Sequence, residues 1–324
     1  METMGCFFMC RLALLLLAVA LDASALDASA PRLGFYGLGT MGTHMAGHLH
    51  GLAASSGGRA AVASRDGAKA EAWAAARGAD FRGSFAELAE ACDVVCLCLS
   101  TTDAVEETLL GCGDALRDTL VVDCTSGEPA RTAALGELLR ERGARLVDSP
   151  VSGGPAGAEA ATLTSMMGGA DADVAEARAV VGCWSKKTVH CGALGSGDAV
   201  KSVNNVLNTA HVLLATEAAL VLQKYGVDAA TALDVINSSS GASLQTQRLP
   251  EHVLSRDFGF GFKMGLMRKD CAIADALVAD LAPTHTLIPE ATRLIRAAEA
   301  QLGSDADYTA VARLLEARCG EELR

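Results

Sequence analysis

The chain has 324 residues, enough for two domains of ordinary size. Half of the residues are apolar and only 4% are aromatic, with 33 Gly against 7 Pro; this excludes an intrinsically disordered chain and disfavours an aromatic-rich β-sandwich. With 27 basic against 39 acidic residues the net charge is −12, without the basic footprint of a nucleic-acid binder.

Residues 1–30 are read apart from the fold. Arg11 precedes ten apolar residues, Leu12 to Leu21, and two small-residue sites follow at Ala23-Ser24-Ala25 and Ala28-Ser29-Ala30. This pattern predicts a signal-like leader for the secretory route or for organelle import, cleaved or disordered in the mature chain. The apolar run is shorter than the ~20 residues of a membrane span. A loose hydrophobic tail is the alternative. Of the 11 cysteines, Cys6 and Cys10 lie in the leader, and the odd remainder shows no disulfide framework, which points to a reducing compartment.

From residue 31 to 193, short apolar runs alternate with amphipathic stretches. Strands are expected at Arg32–Tyr36, Ala60–Ser64, Val94–Leu99, Leu120–Cys124, Arg145–Asp148, Ser165–Gly168 and Thr188–Cys191. Ser84-Phe85-Ala86-Glu87 reads as a capping-box helix start, and Pro129 suits a first helical turn. Such alternation predicts an α/β domain with a doubly wound, mostly parallel sheet. From 194 to 324 the pattern becomes all-helical. Gly195-Ser196-Gly197-Asp198 reads as a turn with a helix cap, opening one long helix from about Ala199 to Tyr225 that Gly226 stops. The helix is apolar on nearly all sides between Val206 and Leu222 and is therefore expected to be buried. Asn208, His211 and Glu217 argue against a membrane span.

Gly37-Leu38-Gly39-Thr40-Met41-Gly42 follows the first strand and opens a helix. In that context GxGxxG is a dinucleotide fingerprint: a tight turn, close backbone approach to pyrophosphate, and close helix packing. The helix N-terminus supplies N–H donors for the phosphates. The second strand ends at Ser64-Arg65-Asp66. Arg65 there suits the 2′-phosphate of NADP, and Asp66 keeps NAD open. His44 and His48 are four apart on a helix but lack a third ligand, so no metal site is expected.

Four segments in order resemble the β-hydroxyacid dehydrogenase family: GLGTMGTHMAGHL at the fingerprint, DSPVSGGPAGAEAATLTSMMGG at 148–169, GSGDAVKSVNN at 195–205 and FKMGLMRKD at 262–270. The resemblance spans residues 32–320. It implies a Rossmann domain followed by a helical substrate and dimerisation domain, and NAD(P)-dependent interconversion of a small β-hydroxy acid and its semialdehyde. Lys201 matches the catalytic lysine and Asn205, one helical turn on, its partner. Ser152, Gly153 and Gly154 match a loop that binds the substrate carboxylate. Leu99, Ser100 and Ser126 match cofactor contacts, with Ser100 standing where Pro is common and Ala104 where some members have Asn. Phe262, Lys269 and Asp270 match residues that close over the nicotinamide. Asn208 extends the polar stripe, and core hydrogen bonding is its simpler role. The family habit also implies a homo-oligomer.

Two alternatives are weighed. A 6-phosphogluconate dehydrogenase would carry a larger helical domain and a His where Asn204 stands. A catalytically silent dinucleotide-binding scaffold would not need Lys201.

Overall fold

The computed structural model describes residues 31–324; the leader reading falls on residues 1–30, outside them. Residues Arg32–Arg324 form one compact unit. In chain order the described elements are β1 (Leu33–Tyr36), α1 (Gly42–Ser55), β2 (Ala61–Ala63), α2 (Gly67–Arg77), β3 (Asp80–Phe81), α3 (Phe85–Ala91), β4 (Val94–Leu97), α4 (Thr102–Gly111), β5 (Leu120–Asp123), α5 (Pro129–Glu141), β6 (Arg145–Asp148), β7 (Val151–Ser152), α6 (Gly154–Glu159), β8 (Leu163–Gly168), α7 (Asp171–Val181) and β9 (Ser185–Gly192). The helical part follows: α8 (Ser196–Tyr225), α9 (Ala229–Asn237), α10 (Leu244–Leu249), α11 (Met264–Leu281), α12 (Leu287–Leu302) and α13 (Val311–Cys319).

The sheet runs β3-β2-β1-β4-β5-β6-β8-β7, with β9 beside β8. From β3 to β6 every pairing is parallel, while β6 and β7 pair antiparallel to β8. The order reverses between β1 and β4. There the two strand ends part and leave the crevice in which doubly wound sheets bind ligands. The strands are apolar without interruption because both faces are covered. Phe35, Val62, Cys96 and Val122 point into one core with Leu49, Trp73 and Val174. Their neighbours Ala61, Val95, Leu97 and Val121 point into the other, with Leu88, Leu109 and Leu135. A third core lies among the C-terminal helices around Val212, Leu220, Met267, Ile295 and Tyr308.

All seven expected strands form. Two further ones, β3 and β7, have only two residues each and carry too little pattern to read. Ser152, expected in a loop, therefore sits in β7, and Gly154 opens α6. At α3, Ser84 accepts the Glu87 N–H (3.2 Å), but the Glu87 carboxylate takes the N–H of Gly83 (3.0 Å), one residue earlier than a capping box requires. The expected cap of α8 is also corrected. Its N-cap is Gly195, in the left-handed region at φ 92°, without a side-chain cap. Asp198 instead turns inward, 1% exposed, and accepts from the Gly127 N–H and the Thr132 hydroxyl, each at 2.8 Å. The first turn of α8 is held by Asp148, whose carboxylate takes the N–H groups of Gly195 (2.7 Å) and Asp198 (2.9 Å). A charge expected to face solvent thus fastens the long helix to the sheet. All nine cysteines among the described residues are free thiols.

Candidate active site

The three glycines of the fingerprint do three different things. Gly37 has φ +98°, and a Cβ there would lie 2.5 Å from the Cys98 carbonyl oxygen. A Cβ on Gly42 would lie 1.9 Å from the Gly37 carbonyl oxygen, so α1 packs tightly under the turn. A Cβ on Gly39 meets nothing within 4 Å. The second glycine therefore keeps a space open at the surface rather than solving a packing problem, as a backbone that receives a diphosphate must. No side chain caps α1 at this end, which leaves its first N–H groups available to an anion. Thr40 is exposed and Met41 half-buried against the sheet core. Leu38, expected among the cofactor contacts, turns its side chain into the core at 2% exposure, so only its backbone faces the crevice.

At the end of β2, Ser64 is half-buried and Arg65 exposed. Asp66 is the N-cap of α2, its carboxylate accepting the Lys69 N–H at 3.0 Å. Across the crevice the loops after β4 and β5 are tied together. The Leu99 N–H donates to the Thr125 hydroxyl (2.9 Å), and the Thr125 N–H donates to Asp123 (2.8 Å).

The helical part closes the site from the other side. Lys201 is 9% exposed, with Nζ donating to Asn205 Oδ1 at 3.2 Å. Asn205 Nδ2 donates to Asp270 Oδ2 at 2.5 Å. Asp270 Oδ1 lies 3.1 Å from Lys269 Nζ, which donates to the carbonyls of Ser126 (2.6 Å) and Ser100 (3.2 Å). One connected chain thus runs from Lys201 across α8 and α11 to both cofactor-side loops. It joins residues that are 169 positions apart in sequence. Burial pushes the Lys201 ammonium below the usual lysine value of 10.5; Asp270 opposes this shift and Lys269 adds to it. Phe262 packs edge-on against Tyr308 with ring centres 6.1 Å apart, and its N–H donates to Asp307 (3.1 Å). Gly153 (φ +139°) and Gly154 (φ +66°) make the backbone bend after Ser152.

Sequence reasoning missed Asp123, Thr125 and Gln245. Asp123 carried a signal, a lone carboxylate ending a fully apolar strand. Thr125 and Gln245 carried none, because their partners, Leu99 and Tyr308, are 26 and 63 positions away. His48 is no solvated residue, since its Nε2 meets the Ala158 carbonyl at 2.9 Å and ties α1 to α6.

Comparison with known proteins supplies the family. Residues 32–192 match the NAD binding domain of 6-phosphogluconate dehydrogenase, and residues 195–315 match the NAD-binding region of NADP-dependent 3-hydroxyisobutyrate dehydrogenase. The mitochondrial 3-hydroxyisobutyrate dehydrogenase of Drosophila melanogaster is 33% identical over 261 residues, covering 76% of this chain and 78% of the relative. The chain belongs to the β-hydroxyacid dehydrogenase family. Another relative, the 2-(hydroxymethyl)glutarate dehydrogenase of Eubacterium barkeri, is 34% identical over 75% of this chain and 81% of its own length. Among solved structures, Mycobacterium tuberculosis 3-hydroxyisobutyrate dehydrogenase with L-serine superposes with a TM-score of 0.80 at 30% identity, covering 88% of this chain and 99% of that one. As a β-hydroxyacid dehydrogenase, the chain is an oxidoreductase that uses a nicotinamide dinucleotide on small hydroxy acids.

Proposed function

We propose that this β-hydroxyacid dehydrogenase interconverts a hydroxymethyl acid and its semialdehyde, with Lys201 as general acid and base and with NADP(H) preferred over NAD(H). The observation that carries the reading is the buried Lys201 fixed through Asn205 to Asp270. When bound, the nicotinamide accepts or donates the hydride. In oxidation, neutral Lys201 takes the hydroxyl proton as the carbinol carbon gives up its hydride; in reduction, the ammonium returns that proton to the carbonyl oxygen. Burial suits this work by bringing the two protonation states closer in free energy at neutral pH. Asn205 spends both halves of its amide within the chain, so its role is to aim Lys201 Nζ rather than to hold substrate. Ser152 and the backbone around Gly153 and Gly154 would take the acid group. The cofactor fits the residues present: the space over Gly39 and the uncapped start of α1 receive the diphosphate.

The preference for NADP rests on the second strand end. Asp66 is occupied as a helix cap, while exposed Arg65 forms no ion pair among the described residues and is free for a 2′-phosphate. The relatives' names set the substrate frame. 3-Hydroxyisobutyrate and 2-(hydroxymethyl)glutarate both carry a hydroxymethyl group on the carbon next to a carboxylate. The test is oxidation of each acid with NADP+ and with NAD+, followed at 340 nm. Turnover that is faster with NADP+, and an Arg65→Ala variant that raises KM for NADP+ at least tenfold while leaving NAD+ alone, is the expected result. No turnover of either acid with either cofactor overturns the reading.

We also propose that the protein is a homo-oligomer paired along α8. Val200, Leu207, Leu214 and Val221 are 44–66% exposed at seven-residue spacing, and Tyr225 adds a fifth apolar group at 85%. A sustained spacing of seven makes a seam for a second helix. A second copy supplies the same seam by two-fold symmetry.

A further inference from the structure

Beyond Lys201 along the same face of α8 lies a polar cluster that hydride transfer does not use. Asn208 is seven residues on, about 10 Å along the helix axis. Its side-chain oxygen accepts from Gln245, which is 1% exposed and also donates to the Tyr308 hydroxyl at 3.2 Å. One turn of α10 from Gln245 stands Arg248. Its guanidinium lies over the Phe260 ring, 4.8 Å from the centre, and its charge acts on the Tyr308 hydroxyl. Phe260 in turn faces the acid-binding bend, since a Cβ on Gly154 would lie 3.6 Å from its Cζ.

Arg248 is half-buried, cannot shed its charge, and forms no ion pair or hydrogen bond among the described residues. The carboxylate nearest to this cluster is already used: Asp307 takes the N–H groups of Gly261 (2.7 Å), Phe262 (3.1 Å) and Thr309 (3.0 Å). Stacking on Phe260 satisfies one face of the guanidinium and leaves its forked N–H edge without an acceptor. That edge matches the two oxygens of a carboxylate.

We propose that Arg248 is a specificity-determining residue that binds a second carboxylate, at the end of the substrate remote from the reacting carbon. It selects hydroxymethyl dicarboxylic acids over monocarboxylic ones. The proposal rests on the function given above and names the substrate class of the same site. The buried amide of Gln245 and the hydroxyl of Tyr308 hold the wall against which the remote arm lies, and the Phe260 ring keeps the guanidinium from swinging to solvent.

The experiment compares 2-(hydroxymethyl)glutarate with 2-(hydroxymethyl)pentanoate, in which a methyl replaces the remote carboxylate and the reacting unit is unchanged. The wild type is expected to favour the dicarboxylate in kcat/KM by about 10- to 100-fold, the range of one charge-assisted bidentate contact. Arg248→Leu abolishes that preference by lowering the dicarboxylate value and leaving the pentanoate value in place. Arg248→Lys retains part of it, and the thermal midpoint of each variant reports its folding. Equal kcat/KM for the two acids in the wild type overturns the proposal and leaves hydride transfer intact. So does an equal loss on both acids in Arg248→Leu, which marks Arg248 as a stacking cation for Phe260. Turnover of neither acid with either cofactor overturns both readings.

Discussion

Lys201 is an ammonium taken out of water and then only partly repaid by its surroundings. Its direct partner is a neutral amide oxygen, and the nearest carboxylate, Asp270, is shared with Asn205 and Lys269. A buried charge held in that way is costly, and replacing it by an apolar group of similar volume is often neutral or stabilising. Lys201→Met should therefore lower kcat/KM by roughly 10²- to 10⁴-fold, the usual worth of general acid–base catalysis, while urea unfolding shows stability unchanged or raised. The pH profile carries the sign of the same argument. Oxidation needs the neutral amine, so kcat/KM of the wild type should rise with pH and level off at a pKa below 10.5, with the limb missing in the variant. A limb that survives in Lys201→Met assigns the base to another group.

At the scale of elements, the join between the sheet and α8 is made by buried carboxylates. Asp148 and Asp198 lie beneath the first turn of α8, and Asp123 closes the end of β5 beside them. Desolvation raises all three, Asp123 to about 7, with the neighbouring Asp148 adding to it. A raised carboxyl binds its proton more tightly folded than unfolded. The stability it contributes is complete below the unfolded value of 3.8 and is lost as pH climbs toward 7. Asp123→Asn keeps the acceptor for the Thr125 N–H without the charge. It should be more stable than the wild type at pH 8, by on the order of 2–4 kcal/mol, and nearly equal to it at pH 4. Urea unfolding at the two pH values checks this. A wild type that is the more stable at pH 8 would show that Asp123 is ionised at little cost.

For the whole molecule, α8 serves two masters. One face carries Lys201, Asn205 and Asn208 into the site, and the opposite one leaves Leu207, Leu214, Val221 and Tyr225 outside. The helix is long and apolar enough to cross a membrane by length and composition, with half of its apolar window buried in the chain itself. Pairing with a second copy would cover the remainder. Leu214→Glu should thus shift the mass in solution, read by light scattering, from a dimer or larger species to the monomer. A wild type that is monomeric at micromolar concentration removes the proposed pairing, and partition into vesicles instead would give the stripe to a lipid surface.

The fold class, the seven longer strands and the fingerprint were legible before any coordinates. Their signals are local: uninterrupted apolar runs of strand length, Gly at fixed offsets, and the switch from short runs to one long helix near residue 193. Individual catalytic candidates were legible as well, because i, i+4 spacing puts Lys201 and Asn205 on one face whatever surrounds them. Only the tertiary structure decided how these residues are wired. Asp198 became an internal anchor instead of a cap, Asp66 a cap instead of a free carboxylate, and Lys269 a strut onto two loop carbonyls. A polar side chain commits to whichever partner desolvation leaves within reach, and that partner is set by packing between segments distant in the chain, which no local pattern encodes.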